Sequence, residues 1–86
     1  MYQIFLSKYA AKHKRLLKQS NLEQKAKLLL EIIASNPFQN PPPYEKLAGD
    51  FKGAYSRSIN RQHRLVYTVD VDKMEVYVLS MWTHYE

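Results

Sequence analysis

The chain has 86 residues, no cysteine and a net charge of +5, from thirteen basic and eight acidic residues. Its length and 45% apolar content predict one globular domain over residues 1–86, and the lack of cysteine excludes disulfides, a thiol nucleophile and cysteine-ligated zinc. The charge favours a polyanion or an acidic protein as partner, and the absence of a basic-then-apolar leader or a long apolar run favours a cytoplasmic protein without membrane contact.

The first residues predict a short strand and then a helix. The segment YQIFLS combines β-branched and aromatic residues, and its last residue, Ser7, can cap the helix that follows. Four residues then recur at helical spacing and form the predicted buried stripe: Tyr9, His13, Leu16 and Leu17. We interpret His13 as a packed residue of this stripe.

Positive charge is concentrated in this first predicted helix. Five of the thirteen cations lie between Lys8 and Lys18, and no acidic residue lies among them. Such a run is compatible with a solvated helix face and equally with a surface that contacts nucleic acid. Lys12 and Lys14 are therefore candidate substrate-binding residues.

A second helix is predicted to open at the segment SNLE. Ser20 stands three residues before Glu23, which is the spacing of a capping box. Pro37 restricts the preceding residue to non-helical angles, so the helix is expected to end near Ser35. Its predicted buried stripe is Leu22, Ala26, Leu29, Leu30 and Ile33.

The rest of the chain predicts a stiff connection followed by strands. Prolines at positions 37, 41, 42 and 43 favour an extended segment within the same domain. Three strand-length runs follow Gly53, and turn residues suited to hairpins separate them: AYSRSIN, RLVYTVD and MEVYVLSM. The predicted class is α+β, with an N-terminal strand, a two-helix hairpin and an antiparallel β-meander. The helices cover one sheet face and leave the other partly open.

Two arginines lie within the predicted strands. The first hairpin is expected to turn about residues 61 and 62, with two or four residues in its loop. Arg57 then lies opposite Val66, and Arg64 lies opposite Ile59, so both arginines share one sheet face. A single mid-strand arginine more often points to solvent, but two guanidinium groups on one face suit phosphate oxygens. A three-residue loop would break this register.

The side chains of the last strand can be placed in two ways. A four-residue loop before it puts Tyr77, and by extension Tyr85, on the face of the arginines. A three-residue turn puts His84 there instead. The strand that carries these residues pairs in both cases with the strand of Arg64, so its end can lie near the arginines.

Glu45 lies between the prolines and the sheet, where stiff backbone can hold a carboxylate, although a glutamate at the surface is more often simply solvated. A carboxylate, a histidine and arginines are the groups that metal-free RNA cleavage requires. The carboxylate removes the 2′-hydroxyl proton, the imidazole protonates the leaving oxygen, and arginines neutralise the phosphorane. No histidine and acid have metal-ligand spacing, so neither a metal nor another cofactor is expected.

Four segments stand in a distinctive order and spacing: NPF, YEKLAGDFKGAYSRSI, HRLVY and HY. Together they resemble the YoeB/Txe branch of the RelE superfamily of bacterial toxins. The resemblance implies a RelE-like microbial RNase fold. It also implies the toxin of a type II toxin–antitoxin system, a ribosome-dependent endoribonuclease that cuts translated mRNA in the A site of the 70S ribosome.

The resemblance also assigns roles by position. Glu45 matches the general base, His84 the general acid, and Arg64 the arginine that stabilises the transition state. Arg57 matches a second arginine on the phosphate side, and Tyr85 matches a terminal tyrosine that positions the substrate.

Two positions depart from the family pattern. Ser58 stands where the family often has another arginine, and Glu86 extends past the usual terminal tyrosine. His63 precedes Arg64 in the family too, and we interpret it as structural.

The implied partners are the ribosome with its mRNA and an antitoxin whose acidic segment folds on binding; a homodimer is left open. The alternatives are a non-catalytic binder of the same fold, like the gyrase poisons, and a basic RNA-binding module. Glu45 with His84 and Tyr85 favours the nuclease, because a pure binder needs none of these three residues.

Overall fold

The computed structural model describes residues 1–82, which form a five-stranded sheet with two helices on one face. The elements in chain order are β1 (Gln3–Leu6), α1 (Lys8–Gln19), α2 (Glu23–Ser35), β2 (Glu45–Lys46), a 3₁₀ turn (Gly49–Phe51), β3 (Ala54–Ser58), β4 (Arg64–Asp70) and β5 (Glu75–Ser80). The strand order is β1-β5-β4-β3-β2, and every pair is antiparallel except β1 with β5. The predicted α+β class is confirmed. The parallel β1–β5 pair and the two-residue β2 were not predicted.

Helix α1 starts at the predicted cap. Ser7 Oγ accepts a hydrogen bond from the Ala10 N–H at 3.0 Å and donates to the Leu79 carbonyl at 2.7 Å, so the cap also ties α1 to β5. The predicted buried stripe is wrong at its first residue, since Tyr9 is 69% exposed and Ala10 is fully buried. Ala10 has helical spacing with Leu17, and its small side chain lets the first turn of α1 lie close to the sheet.

Helix α2 ends as predicted at Ser35, but the predicted capping box is wrong. Ser20 terminates α1 instead, and Asn21 adopts a left-handed φ of 59°. This backbone reversal separates Ser20 from Glu23, and the cap position falls to Leu22, whose side chain makes no capping hydrogen bond. The buried residues of α2 all belong to the predicted stripe: Ala26, Leu29 and Ile33.

The core lies between the helices and one face of the sheet. The strands, with the residues that directly follow β3 and β5, contribute these buried core residues: Ile59, Leu65, Tyr67, Val76, Val78 and Met81. On the opposite face the rings of Phe5 and Tyr77 stack with centroids 5.2 Å apart, and Tyr77 is 41% exposed. One covered and one partly open face is therefore the observed arrangement. Within residues 1–82, neither helix combines the length and apolarity needed to cross a bilayer.

The turn between β3 and β4 contains three residues, rather than two or four. The Ile59 N–H donates to the His63 carbonyl at 2.9 Å, which closes the turn around residues 60–62. Asn60 stabilises this turn, because its Oδ1 accepts from the backbone N–H groups of Gln62 and His63 at 2.9 and 2.7 Å. The side chain of Asn60 thus favours a turn of three residues over one of two or four.

This turn changes the register on which the arginine pair was predicted. Ser58 lies opposite Arg64, and Arg57 lies opposite Leu65. Because neighbouring residues of a strand point to opposite faces, Arg57 and Arg64 lie on opposite faces of the sheet. The prediction that they share one face is therefore wrong.

The β4–β5 turn has the four-residue form. Asp70 lies opposite Glu75 and Thr68 lies opposite Tyr77, so Tyr77 shares the face of Arg64, as the first of the two alternatives predicted. An irregularity in the ladder then shifts the register, and Ser80 lies opposite Val66. The alternation of side chains between the two faces of the sheet is interrupted at that point, so the face of Tyr77 does not determine the face of the residues after the irregularity.

Candidate functional site

Glu45 and Arg64 meet on the open face of the sheet. Arg64 Nη2 lies 3.3 Å from Glu45 Oε1, and Nη1 donates to Ser56 Oγ at 3.1 Å. Strand β2 creates this arrangement, because it pairs Glu45 directly with Ser56 on β3. The side chain of Arg64 is 30% exposed and that of Glu45 is 65% exposed. A carboxylate and a guanidinium group are therefore held together and remain accessible from solvent.

A small open pocket of about 70 Å³ lies beside this pair. Its lining consists of Pro43, Tyr44, Glu45, Ser56, Ser58 and Arg64. A guanidinium fork offers donors to an anion, and the carboxylate offers an acceptor for a proton. The pocket can therefore accommodate a phosphate oxygen next to a proton acceptor. Cleavage of a phosphodiester requires these two groups side by side.

Arg57 lies on the other face of the sheet and is 1% exposed. It donates through its Nη atoms to three carbonyl oxygens of the proline-rich segment: those of Pro37, Gln39 and Pro42, at 3.1, 2.9 and 2.6 Å. Its Cζ also lies 5.0 Å from the ring centroid of Tyr44. The predicted role of Arg57 on the phosphate side is corrected accordingly, because its guanidinium group is enclosed and bonded to the protein itself.

Tyr67 completes this buried network. Its hydroxyl accepts from Arg57 Nε at 3.0 Å and donates to the Pro37 carbonyl at 2.8 Å. Burial raises the pKa of Tyr67 above its ordinary value, against an opposing effect of Arg57, so the phenol keeps the proton that it donates. We call Arg57 and Tyr67, with the three carbonyls they bind, the arginine anchor. Since Glu45 follows Pro42 by three residues, the anchor fixes the segment that leads to Glu45.

Two histidines hold the last residues that the structure describes. His13 of α1 accepts a hydrogen bond at Nδ1 from the Met81 N–H, at 3.1 Å. His63 of the β3–β4 turn bonds through Nδ1 to the Trp82 carbonyl, and the two rings stack with centroids 3.9 Å apart and 18° between their planes. Met81 itself is buried in the core. We call His13, His63, Met81 and Trp82 the histidine clamp.

The two histidines use the same ring atom in opposite roles. A backbone N–H can only donate, so Nδ1 of His13 accepts and carries no proton. A carbonyl oxygen can only accept, so Nδ1 of His63 donates. Burial lowers the pKa of His13 from its ordinary value, which favours the neutral ring that this acceptor role requires. Both rings bind main-chain atoms of the protein itself, in agreement with their interpretation from sequence, although the sequence indicated neither partner.

Two other predicted site residues, Lys12 and Lys14, are not brought to the Glu45–Arg64 pair. Lys12 and Lys14 are exposed on α1, across the sheet from Arg64. His84 and Tyr85 lie outside the described residues. The structure adds Ser56, which the sequence analysis missed. Ser56 could have been found only from its pairing with Glu45, and that pairing depends on strand β2, which was not predicted.

Comparisons with known proteins agree with this fold. Residues 7–85 match the family described as YoeB-like toxin of bacterial type II toxin–antitoxin system. Toxin YoeB of Synechocystis sp. is 38% identical over 73 residues, which cover 85% of this chain and 76% of that protein. A chain of the heterotetrameric YoeB–YefM toxin–antitoxin complex from Staphylococcus aureus has a TM-score of 0.81 at 33% identity, with 99% of each chain covered. A YoeB dimer from the same organism has a TM-score of 0.82 at 33% identity, with 98% of each chain covered.

Proposed function

Because this chain belongs to the family of YoeB-like toxins of bacterial type II toxin–antitoxin systems, we propose that it is a ribosome-dependent endoribonuclease. In this proposal it cleaves translated mRNA in the A site of the ribosome and so stops translation. The observation that carries the proposal is the contact between Glu45 and Arg64 on the open face of the sheet, 3.3 Å apart. Such a pair offers a proton acceptor and a phosphate-binding cation side by side.

The proposed reaction is an intramolecular displacement at phosphorus. Glu45 takes the proton of the 2′-hydroxyl, and the 2′-oxygen attacks the adjacent phosphorus. The bond from phosphorus to the 5′-oxygen breaks, and His84 gives a proton to that leaving oxygen. The products are a cyclic phosphate and a 5′-hydroxyl. The residues of the chain supply every proton transfer, and neither a metal nor another cofactor takes part.

Arg64 stabilises the charge that develops during this reaction. Its guanidinium group is already oriented by Ser56 Oγ and Glu45 Oε1, so little reorganisation is needed when the phosphorane forms. Tyr85 positions the substrate beside it. Arg57 is left out of this chemistry, because the arginine anchor uses its donors.

The basic surface of α1 has a separate role in the proposal. Lys12 and Lys14 are exposed and lie on the helix layer, away from the pocket beside Arg64. We assign them to contacts with ribosomal RNA phosphates, whose neutralisation releases counterions. The net charge of +5 supports such a polyanionic partner.

Partners are inferred from the relatives. The staphylococcal relative forms a heterotetramer with YefM and is also known as a dimer. For this chain we propose a cognate antitoxin whose acidic segment folds over the basic surface, and a toxin that can pair with a second copy of itself. Its proposed location is the bacterial cytoplasm, where ribosomes are found.

The proposal is tested by mapping mRNA 5′ ends after brief expression of the protein. Wild type is expected to create new ends inside translated coding regions, and Glu45→Gln and His84→Ala are each expected to abolish them. Glu31→Gln is the matched control, since it removes an exposed carboxylate on α2 that does not line the pocket. Cleavage that persists undiminished in both variants contradicts the acid and base assignment. Gyrase-dependent DNA breaks without new mRNA ends would favour the non-catalytic toxin instead.

A further inference from the structure

The histidine clamp lies immediately before the residues to which the proposed chemistry assigns proton donation. We infer that His13 and His63 are positioning residues for His84. By holding Met81 and Trp82, they fix the point from which the chain continues to the proposed general acid. This inference rests on the proposed function, because it gives the clamp a role only if His84 protonates the leaving oxygen.

The clamp and the proposed general acid are close neighbours along the chain. His84 follows Trp82 by two residues, so their Cα atoms are separated by roughly 7 Å at most. A general acid must come within about 2.6–3.2 Å of the atom that it protonates. The clamp therefore fixes the point from which the chain continues to His84, and a misplacement of about 1 Å at a reacting group can reduce the rate by about 10²-fold.

The clamp acts on two consecutive residues from two different elements. His13 reaches Met81 from α1, and His63 reaches Trp82 from the β3–β4 turn. Two hydrogen bonds on adjacent residues fix both the position and the direction of the backbone, whereas one hydrogen bond would fix the position alone. The side chain of Met81, 1% exposed, adds apolar packing to the polar contacts.

The clamp also connects the two halves of the proposed site. His63 directly precedes Arg64, which contacts Glu45. The residue that holds Trp82 is thus bonded through one peptide unit to the residue that holds the proposed general base. The same turn therefore links Trp82 to the guanidinium group that contacts Glu45.

The opposite roles of the two rings define matched variants. In His13→Asn, the amide oxygen takes approximately the place of Nδ1 and can accept from Met81, whereas His13→Phe keeps a ring but leaves that N–H without an acceptor. In His63→Phe the stack on Trp82 is retained and the bond to its carbonyl is lost. Tyr9→Phe is the control on the same helix, because Tyr9 is exposed and outside the proposed machinery.

Trp82 is the only tryptophan of the chain, so its fluorescence reports on the clamp without any assay of activity. His13→Phe and His63→Phe are expected to increase iodide quenching of Trp82 and lower its anisotropy, while His13→Asn and Tyr9→Phe stay near wild type. In a ribosome-dependent cleavage assay, the Phe variants are expected to lose about 10- to 100-fold in kcat, with KM within about twofold. A purely structural role predicts no such separation of kcat from KM and no recovery by His13→Asn.

Several results would overturn the inference. One is quenching that stays unchanged in both Phe variants, and another is increased quenching with unchanged kcat. A third uses the unaltered protein: a Met81 amide that exchanges with solvent as fast as in an unstructured peptide would exclude the bond to His13, whether or not the variants fold. Failure of the wild type to cleave mRNA would instead remove the proposed function and, with it, this role of the clamp. Intact wild-type cleavage with insensitive clamp variants would remove the inference alone.

Discussion

The proline-rich segment and the end of β5 are both held by polar side chains that reach main-chain atoms, but with different chemistry. In the arginine anchor one buried guanidinium group, permanently charged, binds three carbonyls and Tyr67. In the histidine clamp two imidazoles bind main-chain atoms through Nδ1, that of His13 as an acceptor without a proton and that of His63 as a donor. The segment before the proposed base is thus held by a group that stays charged at any physiological pH, whereas the hold of His13 on Met81 requires a neutral ring.

The largest effect is expected from removal of the arginine anchor. Arg57→Met keeps the apolar stem but leaves the carbonyls of Gln39 and Pro42 and the Tyr67 hydroxyl without the donors that Arg57 supplied, which is expected to lower the free energy of unfolding by about 3–5 kcal/mol. Urea denaturation measures the change. Arg61→Met, an exposed arginine in the neighbouring turn, is the matched control and is expected to stay within about 0.5 kcal/mol of wild type. A loss below about 1 kcal/mol in Arg57→Met would show that the anchor contributes little.

Arg64→Lys tests whether the proposed chemistry can be impaired while the arginine anchor and the histidine clamp stay intact. A lysine keeps the charge but cannot contact Ser56 and Glu45 with one planar fork, so the cleavage rate is expected to fall by about 10²-fold. Because Arg64 belongs to neither the anchor nor the clamp, the urea midpoint and the quenching of Trp82 are expected to stay at wild-type values. Single-turnover cleavage on programmed ribosomes measures the rate. A large loss of stability in this variant would mean that Arg64 also holds the fold.

Acid is expected to weaken the clamp before the anchor. The pKa of His13 is lowered in the folded state, so the unfolded chain binds more protons as pH falls below about 6.5. The contribution of His13 is therefore present above that pH and lost as pH falls through the folded pKa. Urea midpoints measured from pH 7.5 to 5 are expected to fall less steeply in His13→Asn than in wild type. Identical slopes in the two proteins would contradict this role of His13.

Alkali is expected to weaken the arginine anchor before the histidine clamp. The pKa of Tyr67 is raised from 10.0 in the folded state, mainly by burial, so its contribution is present below that pH and lost as pH rises through the folded pKa. Wild type is therefore expected to lose stability above pH 10, and Tyr67→Phe is expected to lose less over the same range. The phenolate absorbance of the folded protein, followed during a pH jump, reports the ionisation directly. A Tyr67→Phe curve parallel to that of wild type would contradict the prediction.

The smallest effect is expected on the surface of α1. Replacing Lys12 and Lys14 with Glu is expected to weaken ribosome binding and to reduce its dependence on salt, since each phosphate contact contributes about 0.7–0.9 to the logarithmic slope. Replacing Lys25 and Lys27 of α2 with Glu changes the net charge equally and serves as the control. Co-sedimentation with ribosomes at several salt concentrations measures both slopes. Equal slopes for the two double variants would leave α1 with no specific part in binding.

Local patterns in the sequence predicted both helices and four of the five strands, and the resemblance singled out Glu45 and Arg64, which the structure places in contact. The errors have local causes. The side chain of Asn60 sets a three-residue turn, which moves Arg57 to the covered face, and the left-handed backbone of Asn21 removes the predicted capping box. Neither effect is visible in hydrophobic periodicity, because each depends on one backbone angle or one side-chain contact.

The histidine clamp lay beyond sequence reasoning for a different reason. His13 and Met81 are 68 residues apart, and His63 and Trp82 are 19 apart. In both contacts the partner of the ring is a main-chain atom, which leaves no complementary residue type to recognise. His84 and Tyr85, whose roles come from the resemblance, remain predictions.

The parallel pairing of β1 with β5 has a consequence for how the molecule is made. The bond between Ser7 and Leu79 spans 72 residues, so β1 has to wait for its sheet partner until β5 has been synthesised. Closing so long a loop carries an entropic cost before any contact offsets it, and non-local pairings of this kind slow folding. A nascent chain that stops before Glu75 cannot complete its sheet, and the edge of β4 that β5 covers stays open to other chains.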